Sequence, residues 1–157
     1  MFEKVHNLND EHHFSLQIVS NLGEVEKLLS WFEKHYQSHI PNNVWLQAQT
    51  LLIEGFSNAV RHAHQHEDED TLISLELDIY PHNLQIKIWD QGLFFDLASA
   101  LENLQTKLVS DDLNLFERES QWGFIFFLKL RDEFGWSLDY INELDQGNCL
   151  QVRSPDF

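Results

Sequence analysis

The order of apolar patterns along this chain predicts an α/β domain in two layers, with helices on one face of a mixed, mostly antiparallel sheet. Three observations carry that expectation. Two-residue alternation, which marks a strand with one buried face, recurs at Phe14 to Val19, Ile73 to Ile79, Leu84 to Ile88 and twice after Trp136. Series at helical spacing lie between these stretches. Tight turns at Pro81-His82-Asn83 and Asp145-Gln146-Gly147 join strands directly, which makes them antiparallel neighbours.

Taken in order, a polar, His-containing leader precedes the strand in which Phe14, Leu16 and Ile18 alternate with Ser15, Gln17 and Val19. Asn21 and Gly23 interrupt it, and Val25, Leu28, Leu29 and Phe32 then predict an amphipathic helix to about Tyr36. Pro41-Asn42-Asn43 is a stop-and-cap signal before the longest helix, whose apolar series Trp45, Ala48, Leu52, Phe56, Ala59 and Ala63 ends near His64. The polar run Gln65 to Asp70 predicts a solvated turn. A strand pair follows, and its second member runs into Asp90-Gln91-Gly92. Leu97, Leu101, Leu104 and Leu108 permit a helix, while Asp111 to Ser120 is polar and only loosely periodic, and part of this region is expected to be a mobile cover. A helix from Trp122-Gly123 toward Phe134 and two last strands, around Trp136 to Tyr140 and Leu150 to Val152, complete the chain.

With 157 residues, 43% of them apolar, the chain fits one domain and can bury a core that offsets chain ordering. Lys+Arg number 10 against 26 Asp+Glu, and a net charge of −16 repels phosphate backbones, so nucleic acid is an unsuited partner and a basic protein a suited one. Any ATP held here needs Mg²⁺ and inward-pointing N–H dipoles against that field. The single Cys149 excludes an internal disulfide framework, and no apolar signal segment follows Met1, so a reducing, cytoplasmic setting is expected. The longest apolar stretch, Phe124 to Leu128, is too short for a membrane span.

Three constellations can carry chemistry. Glu54 and Asn58, four apart, share a helix face beside the packing stripe. Asn offers a neutral oxygen for Mg²⁺ and a donor for phosphate, and Glu offers a base for a hydroxyl or water. Gly55 between them costs about 1 kcal/mol of helix stability against Ala, which close approach of another backbone would justify. The same spacing also suits a polar stripe facing water. Asp90 at a strand end can accept the exocyclic amine of adenine while Gly92 lets the backbone close on a base; a plain turn fits as well. Trp122-Gly123-Phe124 opens a helix whose free N–H groups can receive phosphate, although the Gly-Lys-Ser/Thr ending of a phosphate loop is missing. Arg61 reaches toward phosphate, toward Glu54 or toward the helix dipole. The histidines His12-His13, His35/His39 and His62-Ala-His64-Gln-His66 raise a zinc reading, yet only His35 and His39 have helical spacing and neither has an evident third ligand.

In this order the three elements resemble the GHKL-type ATPase fold, also called the Bergerat-type fold, and most closely the anti-sigma factor serine kinases of bacterial stress and sporulation switches. Leu52-Ile-Glu54-Gly-Phe-Ser-Asn58-Ala-Val-Arg-His62-Ala63 is similar to the family's N box, Ile88-Trp-Asp90-Gln-Gly92 to its adenine-contacting box, and Trp122-Gly123-Phe124 through Glu133 to its second glycine box and following helix. Gly147-Asn148-Cys149-Leu150 resembles the closing Gly-Thr segment, and the similarity spans roughly Phe14 to Val152. The resemblance implies Glu54 as the catalytic base for a partner serine and Asn58 as the Mg²⁺ ligand. It implies Asp90 with Gly92 as the adenine reader, Gly123 with Trp122 and Phe124 as phosphate-facing backbone, and Asn148 as a nucleotide-site residue. ATP and Mg²⁺ are the implied cofactors; a sigma factor, a serine-bearing anti-anti-sigma protein and a second copy of the chain are the implied partners.

Phe94 stands where the adenine box usually has a second Gly, Gln121 where the second glycine box usually begins with Gly, and Asn148 where the closing Thr usually is. A Thr-rich lid is not evident in Leu108 to Ser120. The two missing glycines remove backbone freedom where a triphosphate is wrapped, while Asn148 can still hydrogen-bond, so the competing expectation is a catalytically weak module that binds a sigma factor or other regulator. A metal hydrolase built on the histidines is the third.

Overall fold

Among the described residues, six strands form one sheet in the order β1-β2-β3-β4-β6-β5, with β1 at Glu3–Leu8, β2 at Glu11–Val19, β3 at Leu72–Ile79, β4 at Leu84–Asp90, β5 at Ser137–Glu143 and β6 at Gly147–Arg153. The computed structural model describes residues 3–8, 11–63, 70–111, 113, 114, 118 and 121–157. Every described pairing is antiparallel, as the hairpin turns require, and the β4 to β6 pairing is antiparallel too.

Alternation decides which face is covered. In β4 the residues Leu84, Ile86, Ile88 and Asp90 are buried while Gln85, Lys87 and Trp89 are only partly so. A row of Cα partners crosses the sheet on the covered face, Leu16 to Leu75 to Ile88 to Leu150 to Tyr140. Its aliphatic members are almost fully buried, each worth about 1.5–3 kcal/mol of transfer free energy. The opposite face carries polar pairs such as Lys87 and Glu76, 3.3 Å apart across β3 and β4.

Among the described residues, the second layer is built from the helices α1 (Val25–Glu33), α2 (Asn42–Asn58), α3 (Leu97–Val109) and α4 (Trp122–Asp132). A 3-10 turn at Leu22–Glu24, capped by Asn21 accepting from the Gly23 N–H, leads into α1. Leu28, Trp31 and Phe32 give α1 its buried stripe, and Phe32 stacks on Trp45 with ring centroids 3.9 Å apart, which locks α1 to α2. In α2 the buried series Ala48, Leu51, Leu52, Gly55, Phe56 faces the sheet, and Gln47 accepts from the Trp136 indole N–H at 2.8 Å to tie α2 to the start of β5. A π-helical turn, Ala59–Ala63, extends α2 beyond Asn58.

Two elements differ from their sequence expectation. The leader contains β1, which pairs with β2 from Glu3 opposite Leu16 to Leu8 opposite Glu11. Its composition hid it, because Val5 and Leu8 are too few apolar residues to show alternation. The first helix ends at Glu33 and turns, three residues before Tyr36. The leucine series forms the helix its spacing permits, α3, whose N-cap Asp96 accepts from the backbone N–H and hydroxyl of Ser99 at 3.0 and 2.8 Å. Of the segment expected to be a mobile cover, residues 112, 115–117 and 119–120 lie outside the described residues, as do 64–69 of the expected solvated turn. Among the described residues, no helix is long and apolar enough to cross a membrane.

Candidate functional site

Close approach of α2 to the sheet begins with Gly55. A Cβ there would sit 2.5 Å from Ile88 Cδ1 and 3.1 Å from Leu150 Cδ2, so only glycine lets α2 lie this near to β4 and β6. The sequence expectation was approach of another backbone; the neighbours are side chains of the central strands. This contact brings the last turn of α2 over the C-terminal end of β4, and a cavity of about 430 Å³ opens beside it. That size suits a small organic ligand.

Gly55, Asn58 and Ala59 of α2 form one wall, Ile88, Asp90 and Leu150 the sheet side, and Phe124 and Phe127 of α4 another. Leu93, Phe94 and Phe95 lie along it with exposed side chains, and Tyr140 completes an aromatic lining. Phe94 stacks on Tyr140 at 5.4 Å, and Phe95 reaches both Tyr140, at 5.1 Å, and Phe124, at 6.1 Å. Among the described residues no Lys or Arg side chain lines the cavity.

Asp90 is the charged group of the lining, and it is 97% buried in the sense that only 3% of its surface is exposed. Three donors hold its carboxylate: the Gly92 N–H at 3.0 Å and the Asn148 amide at 3.0 Å on Oδ1, and the Tyr140 hydroxyl at 2.8 Å on Oδ2. Asn148, directly opposite Asp90 in the β4 to β6 pairing, also donates to the Gly92 carbonyl at 2.7 Å and accepts from Asn142 at 2.8 Å. A buried carboxylate without such donors costs several kcal/mol in desolvation, roughly, so this network keeps Asp90 in place. Gly147, with φ of 90°, turns the chain into β6 against the Asp90 carbonyl.

The second cluster is at the start of α4. A Cβ on Gly123 would lie 2.7 Å from Glu54 Oε2 and 3.6 and 3.7 Å from the Asn58 amide nitrogen and oxygen. Glu54, Asn58 and the first turn of α4 therefore meet at one point. Gln121, the N-cap residue, makes no side-chain cap, and the macrodipole leaves partial positive charge at this end. Burial pushes the Glu54 carboxyl above its ordinary value of 4.5, and the nearby Arg61 guanidinium offsets part of that rise. Such a carboxylate is a stronger proton acceptor than a solvated one.

Residues 18–154 match the family model of the histidine kinase-like ATPase domain. The chain belongs to that family. No curated protein matches the chain significantly. The α/β layer order and the antiparallel sheet are those of the GHKL ATPase fold, so the histidine kinase-like ATPase domain accounts for nearly the whole length.

Of the residues singled out from the sequence of this ATPase domain, Asn58, Asp90 and Phe124 line the cavity. Gly92 and Asn148 join it through hydrogen bonds to Asp90, and Glu54 and Gly123 face each other beside Asn58. Trp122 lies apart: it is 61% exposed at the first position of α4 and does not line the cavity. Tyr140 and Asn142 were missed. Their only sequence signal is a two-residue alternation on the last hairpin, which places them opposite Leu150 and Asn148 once the register is known.

Among the described residues the histidines do not assemble. His12 and His13 are consecutive in β2 and so point to opposite faces, with His13 bonded to Asp78. His35 and His39 sit in the turns after α1 instead of on a helix; the His35 ring stacks on Phe14 at 3.8 Å, and His39 Nε2 is 3.2 Å from the Tyr80 carbonyl. The side chain of His62, and His64 and His66 entirely, lie outside the described residues. Among the described residues no three His, Cys, Asp or Glu side chains converge as metal ligands. Burial pushes the Cys149 thiol up to about 12, which removes it as a thiolate nucleophile at neutral pH.

Proposed function

We propose that this ATPase domain is an ATP-binding anti-sigma regulatory factor with serine kinase activity toward a small antagonist protein. The observation that carries the reading is the meeting of Glu54, Asn58 and Gly123 at the end of a cavity that holds Asp90. In this reading the adenine amine faces Asp90, and the phosphates run toward the N–H groups of Gly123 and Phe124.

The residues fit Mg²⁺ as well as nucleotide. The space a Cβ at Gly123 would fill is bounded by the Asn58 oxygen, a hard neutral donor of the kind Mg²⁺ accepts alongside phosphate oxygens. When bound there, the ion supplies neutralisation of phosphate charge within a chain of net charge −16. Glu54, held above its ordinary pKa, takes the proton of a partner serine hydroxyl. The serine oxygen then bonds to the γ-phosphorus as the bond from that phosphorus to the bridging oxygen of ADP breaks. The net charge of −16 suits a basic partner; the partners in this reading are a sigma factor and the serine-bearing antagonist, and a cytoplasmic homodimer is the working unit.

Exposed Leu93, Phe94 and Phe95 favour a second reading, a catalytically weak module that binds a regulator through this apolar rim. Glu54→Gln separates the two. Under the kinase reading the variant keeps nucleotide binding and loses phosphoserine formation on a copurified partner by about a hundredfold or more. Partner capture without nucleotide, with no phosphoserine formed by the unaltered protein, would overturn the kinase reading.

A further inference from the structure

The acceptor that faces the cavity beside Asp90 has a second component. Asp90 and Tyr140 both line the cavity, and the Tyr140 hydroxyl donates to Asp90 Oδ2 at 2.8 Å. A carboxylate offers about four lone-pair directions, and the Gly92 N–H, the Asn148 amide and the Tyr140 hydroxyl take three of them. One direction on Asp90 is left. A phenol that donates its single proton keeps two oxygen lone pairs for accepting, and the Asn148 side chain, hydrogen-bonded to the Tyr140 hydroxyl as well, leaves one of them for a ligand. Burial, and then the bond to Asp90 itself, hold the Tyr140 hydroxyl far above its ordinary value, so it stays a protonated donor at every working pH.

We propose that Asp90 and Tyr140 form a paired acceptor for the two hydrogens of an exocyclic amine, which makes Tyr140 a specificity-determining residue for 6-aminopurine nucleotides. The proposal rests on the nucleotide reading of the cavity. Phe94 contributes by stacking nearly parallel on the Tyr140 ring, at 16°, a restraint that glycine at this position would not give. A purine with an oxo group in place of the amine is refused by Asp90 alone, so such ligands do not isolate Tyr140. A ligand with one amine hydrogen does.

The test is calorimetric titration of the whole chain with ATP and with N6-methyl-ATP, both with Mg²⁺, for the unaltered protein and for Tyr140→Phe. The unaltered protein is expected to bind ATP about fivefold more tightly than N6-methyl-ATP, the worth of one neutral hydrogen bond, and Tyr140→Phe to bring that ratio near one. A ratio that Tyr140→Phe leaves unchanged, including one in which both affinities fall alike, overturns the assignment. Phe94→Leu, at an exposed position, gives an independent reading: it is expected to lower the same ratio by loosening the Tyr140 ring, and an unchanged ratio counts against the proposal. Failure of the unaltered protein to bind either nucleotide overturns the nucleotide reading itself, and this inference with it.

Discussion

Glu54 carries its carboxylate where ionisation costs free energy, and the cost has a sign that can be measured. Its folded pKa lies above the ordinary 4.5, so the folded state holds the proton more tightly than the unfolded chain does. That preference stabilises the fold fully below 4.5 and is lost as pH rises through the raised value, above which the charged group burdens the native state. Glu54→Gln is therefore expected to raise the melting temperature slightly at about pH 8 and to give no advantage at about pH 4; an advantage confined to the acid side would contradict burial as the cause. Gly123 makes the complementary case. Ala at this position gains up to about 1 kcal/mol in helix propensity, while its Cβ displaces the mobile end of Glu54 and crowds Asn58. Gly123→Ala should thus melt no lower than the unaltered protein yet bind Mg-ATP more weakly, by about tenfold, in the same calorimetric titration. Binding unchanged alongside unchanged stability would place the phosphates elsewhere.

Helix α2 does two jobs at once, and Gly55 is where they meet. The helix packs its apolar stripe on β4 and β6 and, one turn on, presents Asn58 to the cavity. Gly55→Ala forces a methyl against Ile88 and Leu150, an overpacking cost of about 1–3 kcal/mol that outweighs the helix propensity gained. Urea denaturation is expected to show a net loss on the order of 1 kcal/mol, with weaker nucleotide binding because the helix is levered off the sheet. A stabilised variant would mean that α2 does not sit this close. The strands of this layer were legible because β2, β3 and β4 bury every second residue, and a period of two survives in sequence. β1 was not, since its stability comes from pairing with β2 and its own residues show no apolar face. α3 was half legible: its leucines have the right spacing, but the cap that starts it, Asp96 bonded to Ser99, falls beside an aromatic run that does not read as a helix start.

Over the whole molecule, the candidate site is assembled from residues far apart in sequence, and this explains what sequence could locate. Glu54, Asn58, Asp90 and Gly123 each sit in a local pattern that the family resemblance picks out, and the fold brings Asn58 and Asp90 to one cavity and Glu54 and Gly123 beside Asn58. Tyr140 and Asn142 belong to it only through strand register on the last hairpin, and register is a tertiary fact. Trp122 was included for adjacency to Gly123, but helix geometry turns its side chain out to solvent. The net charge of −16 acts on the whole surface and opposes a polyanionic ligand, so nucleotide affinity must come from the cavity, from the first turn of α4 and from a divalent cation. Calorimetric titration of the folded chain with ATP in the presence and absence of Mg²⁺ tests this most directly. The expected result is saturable binding of about one nucleotide per chain in the micromolar range with Mg²⁺, weakened at least about tenfold by chelation. No saturable binding of ATP or ADP by the folded protein at about millimolar nucleotide would contradict it.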